Sequence, residues 1–296
     1  MKTKVSGFVV MLTALLLVVP VMADGPGISI GEVDGNIMQD MKNISITVPG
    51  VTLDVTKGVQ YGDAYGFISG GRKDQVSVQM EQGQQVSHFQ EQYTDNYSSA
   101  IGGQVDQYMG LSGELRRSGE FDLSAFSVER TKVLLEHDGN QMNSLIKSET
   151  TEGFIGMING TGELNVDLST VKYQGYYQEA VNPNTYSLHF GQLEESVNLE
   201  GSLKVRECDP YIGGVAFANT SGKTMTDAYV TPSVNSAIAS QTVSSTAGII
   251  GGKGITGEID VNMITGYQQS SVNSTSNINQ YGVTTISIDI SKKSHR

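Results

Sequence analysis

Residues 161–168 read TGELNVDL and residues 256–263 read TGEIDVNM, a near-copy displaced by 95 positions. Each difference between the two is conservative: Leu to Ile, Asn to Asp, Asp to Asn, Leu to Met. Both alternate apolar and polar residues with a period of two, the pattern of a strand with one buried face. A chain that repeats a half-buried strand is committed to a repeated β architecture before any other feature is considered.

The alternation recurs along the chain. Ile44, Ile46 and Val48 alternate with hydroxyl residues, and Val51, Leu53 and Val55 follow Pro49-Gly50. Val76, Val78 and Met80, then Leu203 and Val205, and finally Ile286, Ile288 and Ile290 continue it. Gly, Asn and Pro separate the runs, as turns require. Residues 36–42 and 233–247 are the best helical candidates, and the second also suits a loop. The expected class is therefore all-β and mostly antiparallel, with repeated long strands in a sandwich or a solenoid-like stack of hairpins, and little helix.

A Gly preceding an alternating run marks positions 71, 119, 162, 201 and 257, at spacings of 48, 43, 39 and 56 residues. A second mark pairs Ile with two nearby glycines, as at Ile68, Ile101, Ile212 and Ile250. An aromatic-Gln pair follows each near-copy, at Tyr173-Gln174 and Tyr267-Gln268. A unit of this length holds about four strands. Residues 24–296 are thus expected to form one elongated β-rich domain with imperfect repeats of about 40 to 56 residues.

The N-terminus reads as an address. Lys2 and Lys4 precede an apolar run from Phe8 to Val19, and Val21-Met22-Ala23 offers small residues for cleavage. This order predicts a secretory signal peptide over residues 1–23, and no later run suits a transmembrane helix. Loss of Lys2 and Lys4 takes the net charge from −12 to −14. Acidic excess with basic residues scattered along the chain argues against nucleic acid as partner. Cys208 is the single cysteine, so an intrachain disulfide is impossible. The five N-x-S/T sequons at Asn43, Asn96, Asn159, Asn219 and Asn273 would be glycosylation sites in a host that modifies secreted proteins.

Motifs for chemistry are wanting. Gly27-Ile28-Ser29-Ile30-Gly31 lacks the strand that must precede a nucleophile elbow. Gly222-Lys223-Thr224 lacks the earlier Gly of a phosphate loop, since Phe217 occupies its place. Gly251-Gly252-Lys253-Gly254 occurs once and has Thr256 where a calcium-binding repeat carries Asp. His88, His137, His189 and His295 share no metal-ligand spacing. No catalytic, cofactor-binding or metal residue is expected, and no cofactor.

Nine Gln residues lie between Gln75 and Gln107, with Tyr93, Tyr97 and Tyr108 among or beside them. In this amide-rich composition the chain is similar to extracellular amyloid-like fibre subunits such as curli. Ser98 and Gln104 fit the first step of that repeat, while Met109 stands where its Asn would be. Uncharged polar strands leave sheet edges weakly protected. The expected function is a secreted structural or adhesive cell-surface protein that associates with itself or with other envelope proteins as a sheath, fibre or envelope subunit. The alternative is an extracellular carbohydrate-binding module in which Tyr173, Tyr176 and Tyr177 stack on sugars. A β-helical polysaccharide-degrading enzyme is the third reading.

Overall fold

The computed structural model describes residues 30–69, 75–138, 141–183, 185–206, 213–231, 234–273 and 277–293. The leader, Cys208 and His295 lie outside them, as do the first three residues of the motif at residues 27–31. The described residues hold twelve strands: β1 Ile30–Val48, β2 Val51–Ser69, β3 Gln75–Thr94, β4 Tyr97–Arg116, β5 Gly119–Asp138 and β6 Gln141–Asn159, then β7 Gly162–Asn182, β8 Thr185–Val205, β9 Gly213–Thr231, β10 Val234–Gly252, β11 Ile255–Asn273 and β12 Asn277–Lys292.

The strands form two six-stranded sheets in the orders β1-β2-β5-β6-β9-β10 and β12-β11-β8-β7-β4-β3. Every pairing is antiparallel. Successive hairpins therefore alternate between the sheets, and each hairpin joins the edge left by the previous one in its own sheet. Among the described residues the fold is all-β with no helix, in agreement with the all-β, mostly antiparallel class that the alternation predicted. The two helical candidates are strands: residues 36–42 belong to β1, and residues 234–247 of the second stretch belong to β10.

Hairpin tips lie at one end of the sandwich and sheet-to-sheet crossings at the other. The β1–β2 tip is Pro49-Gly50, with Pro fixing φ and Gly50 at φ 79°. Three crossings are tight: Arg117 adopts φ 91° between β4 and β5, Gly160 φ 125° between β6 and β7, and Gly254 φ 68° between β10 and β11. Two of the paired-glycine marks now have a reason. Ile250-Gly251-Gly252 ends β10 at a crossing, and Gly213-Gly214 opens β9. The mark at Ile101 lies inside β4, where a Cβ at Gly103 would overlap the Gln174 side chain.

Leu164, Val166 and Leu168 point into the core, as do Ile259, Val261 and Met263. Both copies flank β8. Gly201 sits between Val166 and Ile259, and Leu203 between Leu164 and Gly257. The copies are thus staggered by two residues, an even shift that keeps each side chain on its face. Gly201 lies inside β8 and does not open a strand. Its missing side chain leaves room for the Phe154 ring arriving from the opposite sheet.

The largest apolar cluster fills the crossing end, with Phe121, Leu123, Phe154, Leu164, Leu199 and Ile259 among its members. Smaller clusters lie toward the tips, around Ile101, Val133 and Leu193, and at Tyr97, Met142 and Ala180. On the first hairpin the apolar residues lie on the outer face. Ile44, Ile46 and Val48 are 52%, 48% and 47% exposed, while Thr52, Asp54 and Thr56 are buried. Cross-strand pairs Ile44–Val55, Ile46–Leu53 and Val48–Val51 cover one another on the outer surface. Alternation identifies two faces, and here the polar one is needed inside.

Candidate assembly surfaces

That interior polarity forms a belt across the sandwich. On the first sheet Gln60, Ser127, Glu152 and Thr220 make one lateral row, all buried. On the second sheet Lys172, Glu195 and Thr265 make another. Thr170 Oγ1 donates to Glu152 Oε1 at 2.6 Å across the gap, and Gln107 Nε2 donates to Ser127 Oγ at 3.1 Å. Lys172 Nζ lies 3.2 Å from Glu195 Oε2 and 3.9 Å from Glu129 Oε2, and it donates to Ser148 Oγ.

Loss of water raises the Glu129 carboxyl above its ordinary range and pushes Glu152 up to about 8. Burial also lowers His189 to about 4, and its Nδ1 lies 2.7 Å from Ser144 Oγ. These groups are enclosed between the two sheets. Their arrangement joins the sheets and defines their register.

Among the described residues the strand order ends without a further paired strand on either side. One end consists of edge strands β1 and β3, the other of β10 and β12. The core is incompletely covered at both. Ile37, Val76, Val78 and Met80 are half-buried at the first end, and Ile250, Ile286, Ile288 and Ile290 at the second. The sequence marked Val76, Val78 and Met80, and Ile286, Ile288 and Ile290, as strands, but nothing local distinguishes an edge strand from an inner one.

Other expected residues scatter over the fold. Asn43 is exposed on β1, with its amide 3.2 Å from Thr56 Oγ1. Asn96 is exposed in the β3–β4 turn and Asn159 at the end of β6. Asn219 lies on β9 and Asn273 ends β11; their side chains are outside the described set. Of the three tyrosines considered for sugar stacking, Tyr176 is buried, Tyr173 is exposed and Tyr177 is half-buried. His88 Nε2 lies 3.0 Å from Asp54 Oδ2, and the His137 ring stacks on Tyr97 at 4.1 Å. Gly222-Lys223-Thr224 runs through β9 and is no loop.

Among the described residues one group has the spacing for a cation. Oxygens of Glu258, Asp260 and Asp289 lie within 4.8 Å of one another on the outer surface. Hard cations take carboxylate ligands of this kind. No helix among the described residues is long and apolar enough to cross a membrane. No protein-family model matches the chain, and no curated protein is detectably similar to it.

Proposed function

We propose that this is a secreted structural protein of the cell surface whose copies join end to end. One observation carries the reading: among the described residues the alternating hairpin stack has no strand beyond β1 and β3 at one end or β10 and β12 at the other. Each sheet has six antiparallel strands, so its last strand runs opposite to its first. A second copy in the same orientation can place β1 beside β10 and β3 beside β12, continuing both sheets in the antiparallel sense. Such a contact joins different surfaces and does not close, which yields filaments. It would also cover the half-buried apolar residues at the two ends.

End-blocking variants test this. A Lys pointing inward at an edge opposes strand addition. Val78→Lys should disable the β1/β3 end, and Ile288→Lys the β10/β12 end. Wild-type protein should form filaments under electron microscopy. Each variant alone should stay monomeric, and an equimolar mixture should stop at dimers. A wild type that remains monomeric at high concentration rejects the reading.

A second reading, binding of polysaccharide, is favoured by a different observation. Phe89, Tyr93, Tyr173, Tyr186, Phe190 and Tyr281 are exposed outer-face residues of the second sheet. Retention of the wild type on a polysaccharide matrix, and its loss in Phe89→Ala/Tyr281→Ala, would support it.

A further inference from the structure

The outer faces of the two sheets carry opposite ladders of charge. On the first sheet Lys42 stands directly opposite Lys57, and Lys57 opposite Arg130. In the next outward row Lys132 stands opposite Lys147. On the second sheet Asp167 stands opposite Glu200, Glu200 opposite Asp260, and Asp260 opposite Asp289. Glu81 continues this row, with Gly110 between it and Asp167.

Like charges directly opposite on neighbouring strands destabilise a sheet. The chain has 19 Lys and Arg residues against 31 Asp and Glu. Even so, five of the cations meet in two adjacent rows of one face. Lys42 has Asp40 at 2.8 Å and Lys147 has Glu149 at 3.2 Å. The Lys42–Lys57–Arg130 row continues to Glu149, which stands directly opposite Arg130. On the acidic face burial raises Asp167, and the Glu81 charge raises it further. A groove of about 360 Å³ runs along this row, lined by Glu81, Asp167, Glu200 and Asp260. Both ladders cross their strands at a strand spacing of about 4.8 Å, so they match in direction and step when sheets stack face to face.

We propose that the basic ladder of one copy docks on the acidic ladder of another, so that the chain associates laterally, sheet face on sheet face. This rests on the end-to-end reading for its biological sense, as the contact that would bundle filaments. The contact itself does not need the strand edges. Its partner is a second copy because each molecule carries both complementary surfaces at the same spacing.

The test uses the end-blocked protein Val78→Lys/Ile288→Lys, in which edge addition is disabled. Sedimentation at about 0.01 M and about 1 M salt spans Debye lengths of about 30 and 3 Å. The end-blocked protein should associate at low salt and separate at high salt. Adding Lys57→Glu/Arg130→Glu should weaken self-association by about tenfold or more. Adding Glu200→Lys/Asp260→Lys instead should do the same. Mixing the two charge-reversed proteins should restore association, because each then presents the complement of the other. A monomer at low salt, association indifferent to salt, or a mixture that fails to recover overturns the proposal. Filament formation by wild type is read separately, so either idea can fail alone.

Discussion

Lys172 on β7 lies 3.2 Å from Glu195 Oε2, and the two residues are directly opposed across the β7–β8 ladder with their side chains 1% and 0% exposed. Glu129 approaches the same ammonium from the facing sheet. One cation thus serves two buried carboxylates on different sheets. Removing it leaves negative charge without a partner in a medium that solvates charge poorly. Lys172→Met should lower stability by about 3–5 kcal/mol in chemical denaturation. The triple variant Lys172→Met/Glu129→Gln/Glu195→Gln should recover much of that loss. An unchanged midpoint for the single variant would contradict the network.

Glu152 makes stability depend on pH. Its folded-state value of about 8 lies above its ordinary 4.5, so between those limits the folded protein holds a proton that the unfolded chain releases. Its contribution is full below about pH 4.5 and is lost as pH rises toward 8. His189 works oppositely: it stays neutral to about pH 4 against an ordinary 6.5, so its penalty disappears as pH rises to 6.5. The two slopes oppose each other through the acidic range. From about pH 6.5 to 8 Glu152 acts without that opposition, with a slope of at most about 1.4 kcal/mol per pH unit. Thermal melts across this window should show the decline in wild type and its removal in Glu152→Gln.

Gly201 is required by packing. A Cβ there would overlap the ring of Phe154 from the facing sheet. Gly201→Ala should destabilise the protein by about 1–3 kcal/mol. Phe154→Leu should cost less in that background than in wild type. A double-mutant cycle without coupling would disprove the contact.

Adjacent residues on β11 should respond oppositely to charge. Val261 is 1% exposed, whereas Asn262 faces solvent. Val261→Lys buries an unpaired ammonium and should unfold the protein or lower its melting temperature sharply. Asn262→Lys should stay within about 0.5 kcal/mol of wild type. Similar melting temperatures for the two would mean that β11 has the other face inward.

Period-two alternation was enough to read the class, because a strand exposes opposite faces at successive residues whatever its neighbours are. The same signal located the inward triplets at residues 164–168 and 259–263. It left the orientation of residues 44–55 open, and their apolar side chains lie outside, since alternation labels two faces without saying which one the other sheet will cover. Gly201 precedes an alternating run but sits within β8, where the Phe154 ring takes the space of a side chain.

The sequence by itself determined that this chain pairs long antiparallel strands in repeated units, because backbone geometry and side-chain parity are local. Only the tertiary structure decided that hairpins alternate between sheets, that Glu129, Lys172 and Glu195 share one interior site, and that basic residues far apart in the chain line up on one face. Those facts depend on strand order and register across the sheets. They bring together residues with no local relationship, and no pattern along the chain encodes which residues will share a row.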